Sequence, residues 1–204
     1  MLASWSEVPQ FQLETEVDCT AMIALRKRLE YRPSYTAIIA RAVADALKLH
    51  PMLNASWRGD HVVQFDTVNI GIAADTKRGL MVPVIRDVAG KPLQDIDAAL
   101  AVIKEKSAKG NFSMEDLAEG TFTVSNLGMY RINAFTSIVN APQAAILAIP
   151  RMTEVVCKLA DGSIGTKMIM RPILSIDHRV TDGASGARFI NDFVRLIEGP
   201  ETLL

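Results

Sequence analysis

Apolar positions in the first fifty residues follow first a strand pattern and then a helix pattern. Residues 11–18 alternate apolar and polar side chains, which is typical of a half-buried strand. Apolar residues then recur at helical spacing over residues 21–29, after a capping Thr20 and before Pro33, which stops the pattern. A richer apolar helix is predicted over residues 35–49. The chain is therefore predicted to begin with a strand and two helices.

Short strands are predicted in the middle of the chain, where turn residues separate brief apolar runs. These strands cover residues 54–57, 62–65, 68–74 and 80–85. Gly59 lies in a polar turn between the first two, which predicts a hairpin. An amphipathic helix is predicted over residues 92–108, and Ser113 with Asp116 three residues later is typical of another helix start.

The last third of the chain is richer in strands. Strands are predicted over residues 121–124, 144–149, 154–158 and 167–176. Asp161 and Gly162 form a good hairpin turn, and a final helix is predicted over residues 183–197, ended by Gly199. Because helices and strands interleave irregularly and several strands are joined by short turns, the pattern favours an α/β fold with a mixed or largely antiparallel sheet.

Composition and charge limit the class of protein. With 204 residues, 49% hydrophobic and 22% charged, the chain fits a single compact soluble domain over residues 1–204. Its net charge is −1 and its basic residues are scattered, which argues against a nucleic-acid partner. The densest basic cluster, at residues 26–28 with Arg32, is interpreted as a solvated helix face, and contact with an acidic cofactor or partner is the alternative.

The cysteines and the apolar runs point to an ordinary intracellular protein. Cys19 and Cys157 are far apart and lack CxxC spacing, so both are interpreted as reduced packing residues, with no metal site or disulfide. No run approaches the roughly 18 apolar residues that span a bilayer, and the N-terminus does not resemble a signal peptide. A cytoplasmic location without a membrane partner is expected.

Only three histidines are available for proton transfer. His50 lies at the end of a predicted helix, where a cation interacts favourably with the helix dipole, and His61 lies in a predicted hairpin turn. His178 differs, because it follows a strongly apolar strand and precedes a turn that contains Asp182. His178 is therefore the best candidate for a catalytic base.

A strand that ends in a tight turn can hold an imidazole at the edge of the core, fixed and partly desolvated. Since imidazole titrates near about 6.5 and a thiol near about 8.5, a positioned neutral histidine can take a thiol proton near neutral pH. Asp182, four residues after His178, is close enough to brace the turn. The alternative is a structural histidine at a strand end, with Asp182 as a helix cap.

Four stretches, taken together, carry a family resemblance. They are EVDCTAMIALRKRL (16–29), GLMVPVIRD (79–87), GTFTVSNLGMY with AFTSIVNAPQAAILAI (120–149), and DHRVTDG (177–183). The last is a form of the HxxxDG signature, which is weak evidence alone, but four blocks in order are specific. Together they resemble the catalytic domain of the dihydrolipoamide acyltransferase component of 2-oxo acid dehydrogenase complexes. The resemblance implies a chloramphenicol acetyltransferase-like two-layer sandwich, with a mixed, largely antiparallel sheet and flanking helices.

The resemblance also implies roles for individual residues. His178 matches the base that removes the proton of the attacking thiol, and Ser125 matches the serine whose hydroxyl steadies the tetrahedral oxyanion. Asp182 matches the motif aspartate, which resembles a structural brace more than a third reacting group. Coenzyme A is the implied substrate, lipoamide comes from a separate lipoyl domain, and no metal is implied. Family members form homotrimers, with each site's serine and histidine on neighbouring subunits, and the trimers can build a larger cage.

The acyl group and the partners are expectations of the same kind. Succinyl-transferring relatives usually read DGRE after the histidine, whereas residues 182–185 read DGAS, so acetyl is favoured and a branched-chain acyl group is second. The tail LIEGPETLL also resembles the acetyl-transferring branch. Two alternatives stay open, a catalytically silent structural core and an acetyltransferase for a small hydroxyl acceptor.

Two departures from the family pattern affect these expectations. The basic stretch that usually precedes MLASW does not occur in this sequence, which bears on assembly beyond the trimer. Arg131 stands where a small residue is usual, which bears on the substrate channel. No lipoyl or subunit-binding domain fits within residues 1–204, so the lipoyl domain and the dehydrogenase components are expected partners. In a processed eukaryotic fragment, the location would be the mitochondrial matrix.

Overall fold

The computed structural model describes residues 2–204, in which short strands and longer helices interleave. The helices are α1 (Leu2–Glu7), α2 (Thr20–Arg28), α3 (Tyr35–Leu49), α4 (Leu93–Lys109), α5 (Met114–Leu117) and α6 (Gly183–Glu198). Short 3₁₀ helices cover Pro51–Leu53, Val88–Gly90 and Pro200–Leu203. The strands are β1 (Gln10–Glu14), β2 (Val17–Asp18), β3 (Ala55–Trp57), β4 (Val62–Gln64), β5 (Ile70–Ile72), β6 (Ala74–Thr76), β7 (Gly79–Met81), β8 (Val84–Ile85), β9 (Phe122–Asn126), β10 (Ala145–Ile149), β11 (Thr153–Lys158), β12 (Ile164–Met170) and β13 (Ile173–Asp177).

A six-stranded sheet forms the centre of the fold, in the order β1-β13-β10-β9-β5-β8. Strand β9 runs parallel to both of its neighbours, β10 and β5, whereas the other pairs in this sheet are antiparallel. A three-stranded sheet, β11-β12-β2, and the hairpins β3-β4 and β6-β7 complete the strand pairing. The predicted mixed, largely antiparallel sheet is therefore confirmed.

The two faces of the central sheet differ in polarity, because successive side chains of a strand point to opposite faces. Phe122 and Val124 of β9, with Leu147 of β10 and Leu174 of β13, are buried on one face against α3 and α6. The alternate residues of β9 and β13 are more polar and lie on the opposite face: Thr123, Ser125, Ser175 and Asp177. The helices thus cover the apolar face, and Ser125 belongs to the polar one.

Helix α3 lies deeper in the molecule than its sequence pattern predicts. Nine of its fifteen residues are buried, and five of those nine are alanines, whose small side chains let neighbouring helices approach closely. The helix begins after Ser34, whose hydroxyl oxygen accepts a hydrogen bond from the backbone N–H of Ala37 at 3.0 Å. It packs against both α4 and α6. The helix is therefore buried over a wider part of its surface than the single apolar face that the sequence predicts.

Two strands that the sequence predicts as continuous are broken. The predicted strand over residues 11–18 divides into β1 and β2, and the one over residues 167–176 divides into β12 and β13. Both breaks occur where the chain passes from the central sheet to the three-stranded sheet. Pro172 has no N–H to continue the ladder, and Arg171 forms an ion pair with Glu16 at 2.7 Å across the bend.

Two predicted helix starts have different outcomes. Ser113 and Asp116 form the predicted reciprocal capping box at the start of α5. Thr20, in contrast, is the first residue of α2 and does not cap it. Its backbone N–H donates to Oδ1 of Asp18 at 3.0 Å, so an aspartate two residues earlier satisfies that group.

Phe189 should be one of the residues that stabilise the core most. Its ring is fully buried on α6, 5.8 Å from the ring of Phe122 and 6.1 Å from that of His50, so it joins the helix to the sheet and to α3. We expect Phe189→Ala to lower the free energy of unfolding by about 3–5 kcal/mol through cavity formation, measured by urea denaturation. Asn191→Ala, on the exposed side of the same helix, is the control, with an expected change within about 0.5 kcal/mol. Equal stability of the two variants would contradict this packing.

Candidate active site

His178 lies directly after β13, in a turn that the backbone holds tightly. The N–H of Asp177 donates to the carbonyl of Ala144 at 2.8 Å, and the N–H of His178 donates to the carbonyl of Pro9 at 3.0 Å. The N–H of Val180 then closes the turn onto the carbonyl of Asp177 at 3.0 Å. The position of His178 at the strand end is therefore fixed by main-chain hydrogen bonds from three segments.

An ion pair between the residues on either side of His178, a buried aspartate and a half-buried arginine, braces this turn. The Asp177 carboxylate is 1% exposed and accepts hydrogen bonds from the Arg179 guanidinium at 2.7 and 2.9 Å and from the Arg179 N–H at 3.0 Å. The side-chain hydrogen bonding to Asp177 raises the pKa of the Arg179 guanidinium. The guanidinium also lies 5.5 Å from the centre of the Trp57 ring, within cation–π range. Sequence reasoning missed this pair, although the DHR run places its two charges on either side of the histidine.

The imidazole of His178 is exposed in the single chain. Its ring packs against the ring of Phe11, with 4.8 Å between the ring centres and an interplanar angle of 52°. The single chain therefore covers this imidazole less than the sequence pattern predicts. One aromatic contact orients the ring and leaves the rest of it accessible.

Ser125 is half-buried near the end of β9 and lines a cavity of about 260 Å³. The cavity is largely apolar, and the side chains that give it this character are Leu80, Val82, Phe135, Ile138 and Ile146. Thr123, Ser137 and Asn140 supply polar groups beside Ser125. The hydroxyl of Ser125 therefore lies at the wall of an apolar cavity that a small group could enter.

The sheet register separates Ser125 from His178 within one chain. Ser125 is level with Ala148 of β10, which is level with Ile173 at the start of β13. His178 comes five residues later along β13, which corresponds to about 17 Å along the strand and about 10 Å across two strand spacings. The two side chains therefore lie near opposite ends of the sheet and do not meet within one chain.

Asp182 caps helix α6. Its Oδ1 accepts a hydrogen bond from the backbone N–H of Ser185 at 2.9 Å, and this bond holds the pKa of Asp182 below its ordinary value. The alternative interpretation of Asp182 as a helix cap is therefore confirmed. The predicted bracing of the histidine turn comes from Asp177 and Arg179 instead.

The other histidines and the basic cluster have structural partners. Nε2 of His50, at the end of α3, lies 2.7 Å from Oδ2 of Asp192 on α6, and exposed His61 pairs with neighbouring Asp60. In the basic cluster, Nε of Arg26 donates to a backbone carbonyl at 2.6 Å, and its guanidinium stacks on a tyrosine ring. These contacts agree with the structural role expected for His50, and His61 lies exposed in its turn.

The two cysteines are both free thiols, as predicted. Cys19 is fully buried, and burial raises the pKa of its thiol to about 12. Cys157 is half-buried on β11. Within residues 2–204, no helix has the length and apolar character needed to cross a membrane, and no cluster of three or more acidic, histidine or cysteine side chains could hold a metal ion.

Comparison of the sequence with known proteins identifies one family. The model of the family described as 2-oxoacid dehydrogenases acyltransferase (catalytic domain) matches residues 1–204. The acetyltransferase component of the mitochondrial pyruvate dehydrogenase complex of Neurospora crassa is 35% identical, over 98% of this chain and 46% of its own length. The succinyltransferase component of the 2-oxoglutarate dehydrogenase complex of Rickettsia typhi is 38% identical, over 93% and 49%. The chain thus spans about half the length of these curated relatives.

Solved structures agree with the family match and with the predicted fold. A dihydrolipoamide acetyltransferase of Azotobacter vinelandii is 30% identical, with a TM-score of 0.92 over 99% of this chain and 86% of that one. The cubic core of a pyruvate dehydrogenase complex is 31% identical, with the same TM-score and coverage. Chloramphenicol acetyltransferase, at 15% identity, has a TM-score of 0.66 over 94% and 89% of the two chains. The chloramphenicol acetyltransferase-like fold is therefore confirmed.

Removal of the Asp182 cap should lower thermal stability in a pH-dependent way. We expect Asp182→Ala to have a lower Tm than the wild type at pH 7, because the Ser185 N–H loses its acceptor. Since the pKa of Asp182 is lowered in the folded state, the charged cap stabilises above the ordinary value of 3.8 and is lost as the pH falls through the lowered pKa. The difference in Tm should therefore shrink in acid.

Asp182→Asn is the matched control for this prediction, because its amide oxygen accepts the same hydrogen bond at every pH. Calorimetric scans of the three proteins from pH 7 to pH 3 make the comparison. A Tm of Asp182→Ala equal to that of the wild type at pH 7 would rule out a stabilising cap.

Proposed function

Because the chain belongs to the 2-oxoacid dehydrogenase acyltransferase family, we propose that it transfers an acyl group between a dihydrolipoyl thiol and coenzyme A. The observation that carries the proposal is the family match over residues 1–204. The structure agrees with it, because His178 lies in a braced turn with an accessible imidazole. The domain acts as the catalytic core, and a lipoyl domain supplies the dihydrolipoyl group.

In the proposed reaction, His178 takes the proton of the attacking thiol. The thiolate sulfur forms a bond to the thioester carbonyl carbon, and the hydroxyl of Ser125 donates a hydrogen bond to the oxyanion that develops. Collapse of this intermediate breaks the bond to the leaving sulfur, which receives the proton from His178. One thioester replaces another, so alignment and proton placement contribute more than driving force.

A relative supports these assignments. The Azotobacter vinelandii structure is described as probing a serine, a histidine and an asparagine in the catalytic mechanism, with the serine 52 positions before the histidine and the asparagine four after it. In this chain Ser125 is 53 positions before His178, and Asp182 is four after it. Asp182 therefore corresponds by spacing to that asparagine, and we assign it a supporting role as the cap of helix α6, which follows the histidine turn.

The proposed site joins two copies of the chain. Since Ser125 and His178 lie near opposite ends of one sheet, the serine of one copy must meet the histidine of another. A closed ring in which every copy contributes one residue to each of two sites satisfies this requirement, and we propose the homotrimer that the family resemblance implies. The likeness to the cubic core of a pyruvate dehydrogenase complex supports further assembly of trimers into a cage.

We propose an acetyl group as the one transferred, with a branched-chain acyl group as the second candidate. Relatives of similar identity include acetyl- and succinyltransferase components, so identity alone does not discriminate. The cavity beside Ser125 has no lysine or arginine among its lining residues, so a succinyl carboxylate would enter it without a compensating charge. The DGAS run at residues 182–185 favours the same choice. The dehydrogenase components of the complex are the proposed partners, in the cytoplasm or the mitochondrial matrix.

The acyl preference can be tested with three donors. We expect transfer to dihydrolipoamide to be fastest from acetyl-CoA, slower from isobutyryl-CoA and slowest from succinyl-CoA, compared as kcat/KM. A preference for succinyl-CoA would reject the argument from the uncharged cavity while leaving the acyltransferase class intact. A purified assembly that transfers none of the three would instead support a structural core without catalysis.

The two reacting side chains should have separable kinetic effects. We expect His178→Ala to lower kcat for acetyl transfer by about 10²–10⁴-fold, as for loss of a general base. Ser125→Ala should lower kcat by about 10²-fold or more with little change in KM, because its hydrogen bond forms in the transition state. Light scattering should give the wild-type oligomer for both variants. Unchanged turnover in either variant would reject its assignment.

Mixing the two inactive variants tests the shared site directly. In oligomers reassembled from equal amounts of Ser125→Ala and His178→Ala chains, about a quarter of the sites receive both intact residues if neighbours share each site. Activity should therefore return to about a quarter of the wild-type value. Mixed oligomers without recovered activity would place both residues in the same chain's site.

A further inference from the structure

A second, larger cavity adjoins the one beside Ser125. It has a volume of about 800 Å³ and shares two lining residues, Val82 and Asn140, with the smaller cavity. Polar side chains contribute much of its wall, among them Arg58, Thr67 and Asn69. The two spaces therefore differ in chemistry, since the one beside Ser125 is largely apolar and the adjoining one is polar.

Asn140 stands at the junction between the two cavities with unused hydrogen-bonding capacity. Its half-buried carboxamide makes one long hydrogen bond within residues 2–204, from Nδ2 to Oγ1 of Thr123 at 3.4 Å. A carboxamide offers two N–H donors and an oxygen with two lone pairs. One N–H and the oxygen of Asn140 therefore remain available to a ligand.

The position of this carboxamide relative to Ser125 is set by the sheet. Thr123 and Ser125 lie two residues apart on the same face of β9, about 7 Å along the strand. The Thr123 hydroxyl donates to Oε1 of Gln143 at 2.5 Å, and Nε2 of Gln143 donates to the carbonyl of Gly120 at 2.9 Å. The backbone carbonyl of Asn140 accepts from the Gln143 N–H at 3.1 Å. Asn140 is thus anchored a short distance from Ser125.

We propose that Asn140 is a substrate-binding residue that hydrogen-bonds a secondary amide of the arm carrying the reacting thiol, and that the larger cavity holds this arm. The inference rests on the proposed function. When the acyl group lies beside Ser125, the carrier to which it is bound extends into the larger cavity. A secondary amide has one N–H and one carbonyl, which complement the free oxygen and the free N–H of Asn140. Pantetheine carries such an amide close to its sulfur, and a lipoyl group joined to a lysine carries one at the far end of its hydrocarbon chain.

The experiment compares substrates with and without the amide in wild type and Asn140→Ala. In the donor arm, S-acetyl-N-acetylcysteamine is paired with S-ethyl thioacetate. In the acceptor arm, N-methyl-dihydrolipoamide, a secondary amide, is paired with octane-1,3-dithiol, which has the same dithiol chain without the amide. We expect Asn140→Ala to lower kcat/KM about tenfold for the amide-bearing member of one pair and to leave the other member unchanged. The arm that responds identifies pantetheine or the lysine-linked lipoyl group as the source of the amide.

A purely structural role for Asn140 gives a different pattern. An equal loss for both members of each pair, or no loss at all, would overturn the proposal. Asn140→Asp, which keeps the size and one acceptor but loses the N–H donors, replaces Asn140→Ala if that variant has a lower Tm. Its expected loss is confined to the same amide-bearing substrate.

Direct binding separates this inference from the proposed function. If the wild-type assembly transfers no acyl group, the proposed function fails, and calorimetric titration with pantetheine and with N-methyl-lipoamide still tests Asn140. Binding to the wild type that weakens about tenfold in Asn140→Ala supports the assignment. Equal binding to both proteins, or binding to neither, overturns it.

Discussion

The antiparallel pairing of β10 with β13 is the constraint on which the rest of the site depends. Its register places Leu147 opposite Leu174, so both side chains enter the apolar core between the sheet and the helices. A slip of one residue would turn these leucines to the polar face, so the core strongly specifies the register. The same register determines where β9 ends relative to the turn after β13. The packing that excludes water from the core thereby sets the separation of Ser125 from His178.

Local signals predicted much of the fold because they need no knowledge of distant residues. Helix α6 is an example, since a capping Asp182, regular apolar spacing and a terminal Gly199 define it within the sequence alone. Helix α3 was also predicted, but not its depth, because burial on several sides depends on which helices pack against it. The strand breaks near Pro172 escaped prediction for the same reason. A bend between two sheets is decided by pairing partners far away in the sequence.

The candidate site was predictable in its parts and not in its arrangement. His178 could be identified from its place between an apolar strand and a turn, whereas Ser125 depended on the family resemblance, because a polar residue near a strand end is common. The distance between them follows from strand order, which no local pattern encodes. The exposed imidazole was unexpected for a related reason, since in the proposed shared site His178 faces a neighbouring copy, about which a single sequence carries no local signal.

Cys19 has a consequence for the proposed function, in which the substrates are thiols and thioesters. A reactive cysteine in such a protein would compete with the acceptor and retain the acyl group as a dead-end thioester on the enzyme itself. The thiolate is the nucleophilic form, and burial raises the pKa of the Cys19 thiol to about 12, so very little thiolate exists near neutral pH. The packing of Cys19 in the core thus keeps this thiol out of the proposed reaction.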